Sequence, residues 1–309
     1  MLQKLRIGIM GAGAMGRNHA RVLATMPEVE LVAVFDQNPE VASAVAQEFG
    51  VAAAPSIEDF LTCIEAATVA APTVVHVPLG LQLMQAGKHV FMEKPIADTV
   101  EGARQLISKA QETRCVLQVG HVERFNPVIA ELERRMTQPR FIEAHRLSPF
   151  PARSIDIGVV LDLMIHDLEI ILHLVKSEVV SIDAAGVSVL TPHEDIANAR
   201  LRFTNGCVAN ITTSRISPER LRKIRVFQPD AYLSLDYFAQ SGEIHFKSAA
   251  GITKEAIAVE KQEPLRLELT AFAQCALAGA QPKVGGSEAT RALDLALKIT
   301  DLIARQPLA

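Results

Sequence analysis

The feature that most constrains this chain lies at its start. The Ile-rich run Arg6-Ile-Gly-Ile-Met10 leads directly into Gly11-Ala-Gly-Ala-Met-Gly16, and the residues from Ala14 to Thr25 read as a helix. A short apolar run that ends in Gly-x-Gly-x-x-Gly and opens a helix predicts a strand–turn–helix unit. Gly11 permits the tight turn, Gly13 leaves the backbone open to a pyrophosphate, and Gly16 lets the helix pack on the strand. The first turn of that helix, with Ala14, Met15 and Gly16, supplies free N–H groups and the positive dipole end that an anion needs. Glycine spacing alone also fits a Gly-rich turn in some other α/β protein. The second apolar run, Glu30-Leu-Val-Ala-Val-Phe-Asp36, decides between them, because it puts a carboxylate twenty residues beyond Gly16. That is where an acid accepts the ribose hydroxyls of a dinucleotide. Gln37, Asn38 and Pro39 follow, so no cation stands ready for a 2′-phosphate, and NAD is expected over NADP.

A chain of 309 residues points to two domains, and 49% hydrophobic with 21% charged residues is an ordinary globular balance. With a net charge of -4 and no basic stripe, nucleic acid is not an expected partner. Cys63, Cys115, Cys207 and Cys275 stand apart from one another, which predicts small buried thiols in a reducing compartment and no metal site. The first strand begins too early to leave room for a signal peptide. The longest apolar run, Val159 to Val175, contains Asp162, His166, Asp167, Glu169 and His173, so it does not read as a membrane span. A cytoplasmic protein is the resulting expectation.

Strand and helix patterns alternate to about residue 120, with strand-like runs near 51–54, 66–72, 88–92 and 115–120 after the first two. Ser56 and Asp98 are candidate helix N-caps. Six strands with intervening helices predict a doubly wound parallel sheet, whose ligands bind at the C-terminal strand ends. Pro72, Lys94 and His121 all fall at such ends. Beyond 121 the rhythm changes to a helix over 126–135 and then mostly strands, with turns such as Asn205-Gly206, which predicts a predominantly antiparallel open sheet. Helices over 264–278 and 287–305 close the chain. The expected division is a dinucleotide domain over 1–121, an α+β substrate and oligomerisation domain over 122–285, and a C-terminal segment, 286–309.

Two places could carry chemistry. The run 159–175 is apolar on nearly every side and should be buried as a helix, yet Asp162 and His166 lie at i and i+4 on one face. Either they are a satisfied core pair, or they are used, since placing two titratable groups there costs desolvation. Lys94 ends a buried-type strand, where an ammonium could hydrogen-bond a reacting oxygen; the plain alternative is a solvated loop lysine. Glu93 is its candidate partner, and Pro95 fixes the turn.

Taken together, Gly11-x-Gly-x-x-Gly16, Glu93-Lys94-Pro95, Asp162-x-x-x-His166-Asp167, Gly120-His121-Val-Glu-Arg124-Phe125 and Arg17-Asn-His19-Ala-Arg21 resemble the Gfo/Idh/MocA oxidoreductases over essentially the whole chain. The resemblance implies an NAD(P)-binding Rossmann domain, a sheet domain shaping the substrate pocket, a C-terminal segment 286–309 packed back on the Rossmann domain, and Lys94, Asp162 and His166 as the catalytic set. It puts Pro72, Thr73, His76 and Glu93 beside the cofactor, and His121, Arg124 and Asn126 beside the substrate. Within the family, Gly120 to Pro127 and Asp162 to Glu169 are most similar to dehydrogenases of the 3-hydroxyl of UDP-N-acetylglucosamine, which feed an aminotransferase on the route to a 2,3-diamino sugar of lipid A. A sugar diphosphate needs cations, and Arg153, Arg215, Arg220, Arg222, Lys223 and Arg225 are available; each fits a solvated rim or an oligomer interface equally well. Oxidation of a free polyol or aldose, and a non-catalytic NAD-binding sensor, are the competing readings. An open second sheet invites a homodimer or homotetramer.

Overall fold

The computed structural model describes residues 4–150, 157–248 and 251–305. They form two compact units, Met1–Val122 with Glu263–Thr290, and Glu123–Gln262 with Arg291–Ala309.

The first unit alternates β1 (Leu5–Met10), α1 (Ala14–Leu23), β2 (Val29–Phe35), α2 (Pro39–Phe49), β3 (Ala52–Ala53), α3 (Ile57–Cys63), β4 (Ala66–Val69), α4 (His76–Gln85), β5 (His89–Glu93), α5 (Val100–Thr113) and β6 (Leu117–Gly120). All neighbouring strands are parallel, in the order β3-β2-β1-β4-β5-β6. This is the doubly wound order expected of a dinucleotide fold, with its crevice where the order reverses between β1 and β4. Helix starts follow side-chain oxygen: Asn38 accepts from Glu40 N, and Ser56 from Asp59 N. For α5 the cap is Thr99, one residue past the expected Asp98, because the Thr99 hydroxyl reaches Gly102 N.

The second unit begins with α6 (Pro127–Arg135) and β7 (Phe141–Leu147), then a π-helical turn over Val160–Met164 that runs into α7 (Ile165–Val175). The remaining strands are β8 (Val179–Val187), β9 (Ile196–Phe203), β10 (Val208–Ser214), β11 (Leu221–Phe227), β12 (Ala231–Asp236), β13 (Ser241–Ser248) and β14 (Gly251–Ile257). They form one open sheet in the order β14-β13-β12-β11-β7-β10-β9-β8, antiparallel except where β7 meets β10. Strand β14 escapes the sequence reading. It is an edge strand exposed along most of its length, with Ile252 in solvent, so no alternation marks it. Period-2 side chains, Ile142 and Ala144, Ala209 and Ile211, Ile224 and Val226, share one core with Val160, Met164, Leu168 and Ile171.

Two helices close the chain, α8 (Pro264–Ala278) and α9 (Gly286–Ala304). Leu269, Phe272 and Ala273 of α8 join Ile7, Ile9 and Phe91 in the first unit's core. In contrast, Ala292, Leu295, Ala296 and Ile299 of α9 lie in the second unit's core, where the sequence reading puts them against the first. The stretch 122–285 is thus divided between the units, because α8 carries an apolar stripe that matches the sheet of the first.

Candidate active site

In the first unit, Gly11 takes φ +92°, and a Cβ there would lie 2.7 Å from the backbone of Ala70 and Ala71. A Cβ on Gly16 would collide with the carbonyl oxygen of Gly11. Both positions therefore demand glycine for fit. Gly13 differs: it is the N-cap of α1, exposed, with open space where a Cβ would be, and among the described residues no side chain caps that helix. The N–H groups of Ala14 and Met15 open the helix beside that space, which suits a pyrophosphate. Asp36 sits across the loop, with Oδ2 accepting Ala12 N at 2.7 Å and Oδ1 accepting Asn38 N at 2.8 Å. The loop and the carboxylate are thus one preformed cradle, and these residues fit a dinucleotide.

The ends of β4 and β5 complete this side. Pro72 and Thr73 open a short 3₁₀ turn over Thr73–Val75 ahead of α4. Glu93, the last residue of β5, is buried; Oε1 accepts from His19 Nε2 at 3.0 Å and Oε2 accepts the backbone N–H of Lys94 at 3.2 Å. Carboxylate oxygens only accept, so the His19 proton lies on Nε2. Lys94 itself is half-buried and joined to Pro95 by a cis peptide bond. The carboxylate that sequence paired with its ammonium bonds its main chain, which orients the turn. His76 is fully enclosed; Nδ1 lies 2.8 Å from the Pro95 carbonyl oxygen and Nε2 lies 2.9 Å from that of Ala71. Its ring nitrogens are committed to the protein. His121 is buried immediately after β6.

In the second unit, Asp162 lies inside the π-turn, half-buried, and His166 is the second residue of α7, 9% exposed. A π-turn inside a helix is a rare deviation that recurs at functional sites. Next to His166, Asp167 is gripped by Arg146, whose Nε and Nη2 donate to its two oxygens at 2.7 and 3.0 Å. Arg146 Nη1 also donates to Glu123 at 2.9 Å, and Arg222 reaches the same Glu123 oxygen at 3.4 Å. Burial raises the carboxyl pKa of Glu123, but the charge and hydrogen bond of Arg146, together with Arg222 and Asn126, outweigh it and leave the group below its ordinary value.

Several expected substrate residues have other employment. Arg124 is buried and paired with Glu169 at 3.1 Å and Glu133 at 2.8 Å. Asn126 caps α6, accepting Val128 N, and donates to Glu123 and to the Tyr237 carbonyl. Arg215, 1% exposed, pairs with Asp195 at 3.0 Å and donates to the carbonyls of Ile157 and Glu194. Arg225 pairs with Glu143 on the sheet. Arg153 lies outside the described residues. Of the arginines here, Arg222 combines a half-exposed side chain with a place in the Arg146–Asp167 cluster. Sequence reasoning gives Arg146 no place, and quotes Asp167 and His19 within motifs without a chemical role for either. The signal for His19 was present, since it shares the buried stripe Gly16, Ala20 and Leu23 of α1.

Comparison with known proteins settles the lineage. Residues 5–121 match a family model described as "Oxidoreductase family, NAD-binding Rossmann fold", and residues 130–233 match "GFO/IDH/MocA C-terminal domain". The chain belongs to the Gfo/Idh/MocA oxidoreductases. It is 37% identical over 302 residues, 96% of each chain, to UDP-N-acetylglucosamine 3-dehydrogenase of Acidithiobacillus ferrooxidans. A solved structure of that enzyme aligns with TM-score 0.94, 35% identity and coverage of 98% and 99%. The scyllo-inositol 2-dehydrogenase (NAD(+)) of Bacillus subtilis is 27% identical, with 97% of this chain and 94% of that one covered. Levoglucosan dehydrogenase shares the fold at 17% identity, with TM-score 0.89 and 98% of both chains covered. The protein is therefore an oxidoreductase whose first unit is a nicotinamide-dinucleotide fold.

Proposed function

We propose that this chain oxidises the 3-hydroxyl of UDP-N-acetylglucosamine with NAD, giving a 3-keto sugar for a glutamate-dependent aminotransferase on the route to the 2,3-diamino sugar of lipid A. The observation that carries this reading is whole-chain similarity to an enzyme of that name; Lys94, Asp162 and His166 are the residues the family resemblance offers for the chemistry. NAD over NADP rests on Asp36: its carboxylate is fixed on the Gly loop, retains lone pairs for ribose hydroxyls, and repels a 2′-phosphate.

When bound, the nicotinamide accepts the hydride from the sugar carbon. Neutral His166 takes the hydroxyl proton as general base. The Lys94 ammonium hydrogen-bonds the same oxygen and stabilises the charge that develops on it. Asp162 orients and tunes His166. Arg222 replaces Arg215 as the cation offered to the diphosphate, since the Arg215 guanidinium is spent on Asp195 and two carbonyls. The enzyme acts in the cytoplasm as a homodimer or homotetramer.

The test is reduced-nicotinamide absorbance with NAD and a panel of UDP-sugars and free polyols, with aminotransferase and glutamate present to draw off the keto sugar. Turnover of UDP-N-acetylglucosamine alone supports the reading. Turnover of a free polyol alone replaces the substrate and favours the second reading, which rests on the full-length similarity to an inositol dehydrogenase. NAD binding that survives Lys94→Ala and His166→Ala with every activity unchanged would establish a sensor.

A further inference from the structure

His76 offers two nitrogens to two carbonyl oxygens, 2.8 Å from Pro95 and 2.9 Å from Ala71. Carbonyls only accept, so each contact is a hydrogen bond only when the facing ring nitrogen carries a proton. Ala71 lies in the loop after β4, and Pro95 in the turn after β5 that carries Lys94. The backbone of Ala70 and Ala71 is also the surface on which Gly11 rests, so the same loop touches the Gly-rich turn. One imidazole thus joins all three C-terminal loops of the central strands. It is buried at the first residue of α4, where helix packing fixes its own position.

We propose that His76 is a positioning residue that locks the Lys94 turn to the dinucleotide loop, and not a cofactor ligand. The inference rests on the dehydrogenase reading of Lys94. Without the imidazole, Ala71 and Pro95 lose their shared partner, and the ammonium moves relative to Gly11. Burial disfavours the imidazolium, while the Ala71 and Pro95 carbonyls and the Glu93 carboxylate favour it. A neutral ring makes one bond fully and an imidazolium makes both. Glutamine is the informative substitute, because its uncharged amide carries two donors on one nitrogen.

The test compares His76→Leu and His76→Gln. For the Leu variant we expect kcat lowered about 10²-fold, the loss that an ångström of misplacement causes, with the NAD dissociation constant within a few fold of wild type. The Gln variant should regain most of the lost kcat. In the ligand-free protein, hydrogen exchange at the amides of Lys94, Ile96 and Ala97 should be faster in the Leu variant than in wild type and restored in the Gln variant. If His76→Leu does not fold, the same exchange and kcat measurements on His76→Gln and His76→Asn replace it, the shorter amide being expected to fail. Unchanged kcat and exchange in the Leu variant, or Gln no better than Leu or Asn, overturns the proposal. A wild-type enzyme that oxidises nothing on the panel fails the dehydrogenase reading instead, and exchange at Lys94, Ile96 and Ala97 still reports on the clamp.

Discussion

The turn after β5 and the first turn of α7 each hold a candidate catalytic side chain, and the chain fixes them by different chemistry. At the first, histidines hold the backbone: His19 bonds Glu93, Glu93 takes the Lys94 N–H, and His76 bridges two carbonyls. At the second, a forked arginine grips two buried carboxylates, Asp167 and Glu123. Main-chain contacts such as those of His76 can lose one member and relax. A buried ion cluster cannot, because removing one charge leaves its partner uncompensated in low dielectric. Loss of a supporting contact should therefore show mainly in rate in the first region and mainly in stability in the second.

The largest effect is expected where the reaction itself is touched. His166→Ala should lower kcat/KM for oxidation about 10²- to 10⁴-fold in stopped-flow or steady-state assays, with NAD binding retained. The wild-type kcat/KM should fall on acidification as His166 is protonated. An unchanged profile in the variant would move the base elsewhere. Next in size, Arg146→Met strands Asp167 and Glu123, and calorimetry should report a loss of about 3–5 kcal/mol. Arg146→Lys should recover part of it only, since one ammonium cannot make the two-point contact to Asp167. If the Met variant is as stable as wild type, the contrast between the regions collapses.

A smaller effect tests the sign of the cluster's charge. The folded Glu123 carboxyl lies below its ordinary value, so its contribution is full above that ordinary value and is lost as pH falls through the folded one. Glu123→Gln should flatten the acid side of the stability curve measured by chemical denaturation. The smallest effect lies outside both regions, at the start of α5. Thr99→Ala should cost about 1 kcal/mol through the lost cap of α5, and Asp98→Ala less than half of that.

Much of the first unit could be read in sequence because its signals are local. Gly11 to Gly16 followed by Asp36 gave the turn, the helix and the carboxylate. Buried parallel strands are plain apolar runs, although their ends shifted by a few residues, as at Leu117 in place of Cys115. The second unit's strands are equally visible where one face is buried, since Val208–Ser214 and Ala231–Asp236 alternate between buried and part-exposed residues. What escaped is long-range. Arg146 finds Asp167 across 21 positions, and Arg215 finds Ile157 across 58. A guanidinium that serves the interior looks, in sequence, the same as one that serves a diphosphate. His76 likewise gains its meaning from Pro95, 19 residues on. The π-turn was hidden for another reason: a segment apolar on every side has no stripe whose phase could reveal an extra residue.

That extra residue has a consequence for the length of the segment. An ordinary helix advances about 100° per residue, so closing the π-turn of Val160–Met164 by deleting one residue would rotate all that precedes it by about that angle relative to α7. Val160 would leave the pocket where the Glu194 carboxylate receives its N–H. Substitutions on this helix cost contacts one at a time. A single deletion would change which wall every upstream side chain faces, so the fold fixes the residue count here as well as the residue types.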